Sequence, residues 1–455
     1  MSIATDVGSL LIAAAALGFT ARGEIRKRMR GREPEKEKKV SEAVRISIGG
    51  VPLPGGIETT HILFAGATGT GKSQTMSPLA AAARARGDRA VVVDPGGELM
   101  ARQWREGDVV LAPLDARSAD WSPFAEMSGP QDADRIAKSM LPDADGMGDA
   151  AQWQLYSQGL VAAVLQRLWE NGAATNGELV HTLTVMPAKE IEKIIEGLPA
   201  ATLMDVGAAK MLSSVRGIIG SYLPSYRFLS SAAGTQGWSI REWVETGKGW
   251  LWLPYRADHA SSMRPLLACW IGELVSAMLS LRPNRDRRIW LLLDELAALG
   301  RVQSLSDALA QGRKFGLCCC GGLQTLSQLR THYGQHGAQT LLSCFRSQLI
   351  LAAGDPETAD WCSRALGERQ LRRRNQTVGE SVSSSEQIAI ERIVLPSEIQ
   401  KLPNLAGYLN LAGDYPVARV QIPLAPDSKE VCAPFIPRSS TIPPAPPASG
   451  APAAP

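Results

Sequence analysis

One stretch restricts the fold of this chain more than any other. The apolar segment His61-Ile-Leu-Phe-Ala65 runs straight into Gly66-Ala-Thr-Gly-Thr-Gly71-Lys72-Ser73, and a helix-prone stretch follows from Gln74 to Arg86. A buried strand, a glycine-rich loop and a helix N-terminus in that order form a Walker A phosphate loop. Gly69 and Gly71 permit backbone angles that turn several amide N–H groups inward, and the helix end adds partial positive charge. Residues 67–74 (Ala67, Thr68, Gly69, Thr70, Gly71, Lys72, Ser73 and Gln74) are therefore assigned to ATP. Lys72 is expected to reach the terminal phosphates and Ser73 to hold Mg2+.

A loop of this kind belongs to an α/β fold with a mainly parallel sheet, so the next question is which strands complete it. Ala90-Val-Val-Val-Asp94 leads into Pro95-Gly-Gly-Glu98, a turn that leaves two carboxylates where doubly wound sheets place their ligands. A turn-and-cap role serves Glu98 equally well. The run Ile289-Trp-Leu-Leu-Leu293 ends in Asp294-Glu295, about 220 residues after the loop, as a Walker B strand does. Asp294 is then the second Mg2+ residue, and Glu295 polarises the attacking water. Beyond it the pattern predicts a helix over 304–315, a strand over 317–323 and a helix from Thr325. Gln324, at that strand's end, reads as a γ-phosphate sensor or as a helix cap. Arg313 and Lys314 close the preceding helix, where cations also complement the helix dipole.

At 455 residues the chain has room for a large core and an appended module. Apolar residues make up 45% and charged residues 20%, which excludes a disordered or fibrous chain. A net charge of +3 is too mild to imply nucleic acid by itself. The seven cysteines follow no metal spacing, and Cys318, Cys319 and Cys320 lie inside an apolar run, so they read as buried, reduced thiols.

Residues 1–21 are almost wholly small and apolar, with Asp6 the only charge, and are expected to span a membrane; residues 22–44 form a basic linker. The positive-inside rule puts the body on the cytoplasmic side. Residues 45–125 and 236–425 read as the two parts of the nucleotide-binding domain. Between them, residues 126–235 hold helical stretches such as 152–170, 188–196 and 208–222 and no strand alternation, so an all-α inserted domain is expected. Residues 426–455, rich in proline, alanine and serine, read as a disordered tail.

Taken in order, the Walker A loop, Asp94-Pro-Gly-Gly-Glu98, Asp294-Glu295-Leu, Ala310-Gln-Gly-Arg-Lys-Phe-Gly316, Gln324 and Asp355-Pro-Glu-Thr-Ala359 resemble the type IV secretion coupling proteins, over roughly residues 45–425. The resemblance implies an inner-membrane ATPase with a RecA-like domain, an inserted all-α domain and a hexameric ring that pumps single-stranded DNA. It implies relaxase or relaxosome proteins and secretion-channel components as partners, and Arg313 as an arginine finger. Family members begin with two membrane helices, whereas this chain offers one marginal span. Two other readings compete: a septum-type double-stranded DNA translocase, and a nucleotide-gated docking adaptor for secreted proteins.

Overall fold

The structure is a computed structural model; it describes residues 45–438 apart from 145–147, 205–208, 303, 379–381 and 426–428. The predicted membrane span and basic linker lie outside these residues. Among the described residues no helix is long and apolar enough to cross a membrane.

The apolar runs become strands covered on both faces. A short antiparallel pair, β1 (Ser47–Ile48) and β2 (Val51–Pro52), opens the chain. The main sheet is built from β3 (Ile62–Ala65), β4 (Arg89–Pro95), β5 (Val109–Val110), β6 (Leu251–Tyr255), β7 (Ile289–Leu293), β8 (Leu317–Leu323) and β9 (Ser347–Ile350). A separate ribbon is formed by β10 (Glu368–Val378) and β11 (Val382–Arg392), and β12 (Ala406–Asn410) and β13 (Ala418–Gln421) return to the main sheet. Its order is β13-β12-β9-β3-β8-β7-β4-β6-β5. From β9 to β5 every pairing is parallel, while β12 joins β9 and β13 by antiparallel pairings. Every residue of β3, β7 and β8 is buried, as uninterrupted apolar runs require when helices cover both faces.

Strand periodicity divides these side chains between two cores. Leu63, Ala65, Val91, Val93, Leu291 and Leu293 face one side, and Ile62, Phe64, Val92, Trp252, Trp290 and Leu292 face the other. The second face is closed by α1 (Lys72–Arg86), through Met76, Leu79, Ala80 and Ala83. A short α2 (Glu98–Gln103) follows β4. Between β5 and β6 the described residues form helices only: α3 (Ala133–Met140), α4 (Asp149–Glu170), α5 (Asn176–Thr184), α6 (Ala188–Ile194), α7 (Ala209–Tyr222) and α8 (Ile240–Thr246). Their buried side chains, such as Ile136, Leu160, Val164 and Val215, form one continuous apolar cluster with the first sheet face and with the long α9 (Ala260–Ser280). The excursion therefore shares its core with the sheet. The remaining helices are α10 (Leu305–Gln311), α11 (Leu326–Ser343), α12 (Pro356–Leu366) and α13 (Pro396–Gln400).

Two expectations need correction. The helix predicted over 304–315 ends at Gln311 and tightens into a 3-10 turn, Gly312–Phe315, closed by Gly316 at φ 86°. The predicted disordered tail is ordered over 429–438, and 439–455 lies outside the described residues. Proline-rich chain builds no ladder of its own, but here it exchanges hydrogen bonds with its neighbours. Ala116 N donates to Ile436 O at 2.8 Å, Arg117 Nη1 to Ala433 O at 2.7 Å, and Arg438 N to Leu114 O at 2.9 Å. Where this strap crosses Gly97, a Cβ on the glycine would stand 2.3 Å from Pro434 O. All seven cysteines are free thiols; Cys318, Cys319 and Cys320 are fully buried in β8.

Candidate active site

Parallel strands end at one edge of the sheet, and the predicted residues collect there because each follows a strand. The loop after β3 is fixed on both sides: Gly66 N donates to Leu323 O at 3.0 Å and Ala67 N to Ala352 O at 2.8 Å. A Cβ on Gly66 would lie 2.7 Å from Thr70 Oγ1 and 2.8 Å from Leu351 Cβ, so only glycine passes. Gly69 (φ 78°) and Gly71 (φ 120°) hold left-handed backbone that bends the loop around its amides. No side chain caps the N-terminus of α1, which leaves its first N–H groups directed at the loop.

Lys72 begins α1 and donates to Gly66 O at 2.7 Å and Ala67 O at 3.2 Å. Burial lowers its pKa, against the opposing pull of Glu295 and Asp294. Ser73 Oγ lies 3.1 Å and 3.3 Å from the two carboxylate oxygens of Asp294. Burial raises the pKa of Asp294, and Glu98 adds to the rise while Ser73 and Lys72 oppose it. Burial likewise pushes Glu295 to about 7, with Lys72 pulling the other way. Gln324 Nε2 donates to Thr68 Oγ1 at 2.5 Å, so the end of β8 touches the phosphate loop directly. Asp94 is buried and pushed to about 7 by that burial, although it accepts from Met100 N at 2.7 Å.

Lys72, Ser73, Asp294, Glu295 and Gln324 thus meet at one edge. Arg313 does not join them. It is exposed on the turn before β8, at the opposite edge, and seven strand residues separate it from Gln324, roughly 23 Å at about 3.3 Å per residue. Its side chain has no hydrogen bond or ion pair among the described residues. Gln74 Oε1 accepts from Ala425 N at 3.0 Å, facing the segment that follows β13.

Three contributors escaped the sequence reading. Tyr255, at the carboxyl end of β6, is pushed to about 12 by burial and by Asp294 and Glu295; the strand-end rule that singled out Asp94 applies to it equally. Gly322 lets β8 meet the backbone after β7, since a Cβ there would lie 1.8 Å from Asp294 O. Leu405, at φ 65°, donates its N–H to Thr70 O at 3.0 Å and packs on Gly71. No local sequence signal marks a leucine for left-handed backbone.

The donor set suits Mg2+: a hydroxyl and a carboxylate, hard oxygens about one hydrogen bond apart, beside a loop of inward amides. What the arrangement offers chemically is a cradle for anionic phosphates flanked by a half-buried carboxylate of elevated pKa.

Comparison with known proteins gives the family and the fold. Residues 45–423 match the family model for the type IV secretion-system coupling protein DNA-binding domain. The coupling protein TraD of Escherichia coli K12 is 28% identical over 407 residues, 86% of this chain and 56% of TraD, so the chain spans little more than half the length of that relative. The unbound bacterial conjugative coupling protein TrwBdeltaN70 superposes with a TM-score of 0.81 at 34% identity, covering 87% of this chain and 92% of the other. TrwB in complex with ADP and Mg2+ gives 0.79 at 34% identity, over 89% and 94%.

Proposed function

The chain belongs to the type IV secretion-system coupling protein family, and from that premise we propose that it is a membrane-associated, ATP-driven translocase that delivers single-stranded DNA or nucleoprotein to a conjugation or type IV secretion channel. The observation that carries the reading is the meeting of Lys72, Ser73, Asp294, Glu295 and Gln324 at one sheet edge. A chain that only docked nucleotide would not need a half-buried carboxylate poised beside the phosphate loop.

In this reading Lys72 leaves its loop carbonyls for the β- and γ-phosphates, and Ser73 and Asp294 hold Mg2+. When bound there, Mg2+ would supply neutralisation of the phosphate charge. Glu295 accepts a proton from the water whose oxygen attacks the γ-phosphorus, and ADP departs with the electrons of the broken P–O bond. An elevated pKa suits a base working near neutral pH. Gln324, tethered to Thr68, reports the γ-phosphate to β8. Arg313, remote from the loop of its own chain, acts on the site of a neighbouring subunit in a ring, for which six copies are proposed. Residues 126–235 form the inserted all-α domain within the nucleotide-binding domain (45–125 and 236–425), and residues 1–21 anchor the chain in the inner membrane. Relaxosome proteins and channel components are its partners.

The test is phosphate release by residues 41–455 with and without single-stranded DNA. Stimulation by single strands is expected. Hydrolysis indifferent to DNA would overturn the translocase reading, and near-normal hydrolysis in Glu295→Gln would remove that residue from catalysis.

A further inference from the structure

Behind the turn that follows Glu295 lies a cleft of about 300 Å³, walled on one side by the helical excursion and on the other by α9, α11 and the 299–301 segment. Tyr222, at the end of α7, lines it, together with Arg264 of α9, Arg301 and His332 of α11. Among the described residues that line it, the carboxylate is Asp143, whose Oδ1 accepts from Gln158 Nε2 at 2.9 Å. Two guanidinium groups, the imidazole of His332, whose pKa burial and Arg264 lower, and a half-exposed aromatic ring therefore converge on one concavity. That combination is what a flexible polyanion with planar bases requires: cations for the backbone and a ring face for stacking.

The cleft is also joined to the nucleotide edge. Glu295 is the N-cap of the 3-10 turn Leu296–Leu299, its side chain accepting from Ala297 N at 3.4 Å. Arg264 Nε donates to Ala298 O in that turn at 3.3 Å. The stem of Arg264 lies over Gly300, where a Cβ would stand 2.5 Å from Arg264 Cδ, so glycine lets the guanidinium lie against the turn. Tyr333 accepts from Val302 N at 3.1 Å and fixes the segment's far end.

We infer that this cleft holds one nucleotide unit of a single-stranded nucleic acid, its phosphodiester on Arg264, Arg301 and His332 and its base stacked on Tyr222. The inference rests on the translocase reading and gives it a point of contact. A strand seated here pulls on Arg264, and through Ala298 on the turn that Glu295 caps, so occupancy is felt at the hydrolytic edge. A duplex, with its bases already stacked on one another, leaves Tyr222 unused.

The test measures binding of a fluorescent oligothymidylate to the full chain by anisotropy over a range of salt. Tyr222→Ala is expected to weaken binding at least about fivefold, the lower end of the loss of one base stack. Tyr222→Phe keeps the ring and stays within about twofold of the parent on the same ground. Arg301→Ala is expected to flatten the slope of log affinity against log salt by about 0.7, the loss of one backbone phosphate on a single strand. Binding of a duplex of equal length is unmoved by Tyr222→Ala. A free mononucleotide presents the same phosphate and base, and thymidine monophosphate distinguishes it: displacement of the strand by the monomer at equal phosphate concentration would make this a mononucleotide site and overturn the inference. Equal losses in Tyr222→Ala and Tyr222→Phe would show that packing and not stacking was disturbed, and would overturn it too. If the parent binds single strands and both Tyr222→Ala and Arg301→Ala bind as it does, the cleft is refuted while the translocase reading stands. If the parent binds no single strand, both fall.

Discussion

The two edges of the main sheet are built from the same kinds of charged residue and treat them in opposite ways. At the amino edge charges are paired. Arg86 grips Glu58 at 2.7 and 2.8 Å, Arg288 joins the same carboxylate at 3.1 Å, and Trp290 Nε1 donates to Asp88 at 2.9 Å. Arg84 forks onto Asp108 at 2.7 and 2.6 Å, and Asp108 also accepts from Trp250 N and Trp252 Nε1. At the carboxyl edge Asp94 is buried and Asp294 and Glu295 are half-buried, with Lys72 the cation that acts on Asp294 and Glu295, and desolvation shifts each of them toward its neutral form. The amino edge is satisfied by the protein itself. The carboxyl edge leaves its carboxylates, among the described residues, without an ion pair as close as those of the amino edge, and titration perturbed by desolvation is a physical mark of a functional site.

Arg313 is the exception that can break this contrast, a cation at the paired edge without a partner among the described residues. If it serves a neighbouring subunit, Arg313→Ala is expected to lower ATP turnover by about a thousandfold or more and leave folding intact. Mixing Arg313→Ala with Lys72→Ala should restore activity, because some sites then combine an intact loop with an intact arginine. No recovery despite demonstrated co-assembly would return Arg313 to the amino edge as an ordinary helix-end cation.

The next largest effect belongs to the paired edge. Asp108→Ala leaves Arg84, 7% exposed, without its carboxylate, and is expected to cost about 3–5 kcal/mol in chemical denaturation. A loss below about 1 kcal/mol would mean that this pairing is dispensable, contrary to the figure for a broken buried pair.

A smaller, pH-dependent effect marks the other edge. Folded Asp94 keeps its proton to about pH 7, whereas the unfolded chain releases it near 3.8. The folded state then binds more protons between these values, so stability falls as pH rises from the lower to the higher. Asp94→Asn lacks that dependence. Without nucleotide or Mg2+, its stability relative to the parent should rise from pH 4 to pH 8, by at most about 4 kcal/mol at 1.36 kcal/mol per pKa unit. A gap that stays constant with pH would show that Asp94 is ionised throughout.

The smallest effect is a control away from both edges. Arg364 and Asp360 form an exposed pair on α12, and Arg364→Ala is expected to change stability by no more than about 0.5 kcal/mol in the same denaturation.

How much of this was legible depended on whether the signal was local. The phosphate loop, the Asp294-Glu295 strand end and Gln324 are each written in a few consecutive residues, and the structure brings them to one sheet edge. The helices of 149–170 and 209–222 follow from their apolar spacing, but periodicity shows which face is buried and not against what. Their continuity with the sheet's core was therefore invisible. Leu405 and Gly322 matter through contacts with distant chain, and the β10–β11 ribbon is so rich in arginine and serine that no apolar alternation announces it. Composition misled at 429–438, because proline content reports what a segment does by itself and not whose donors it borrows.

That strap has a consequence for how the molecule is made. It ties residues 431–438 to residues 97–117, a closure over more than 300 residues, among the longest loops the chain must close. On the ribosome, β4 and its Asp94–Glu98 turn emerge early and stay uncovered until nearly the whole described body has been synthesised. The edge that handles nucleotide is thus sealed late, and a chain stalled before residue 431 carries a phosphate loop whose neighbouring turn is still open to proteases and chaperones.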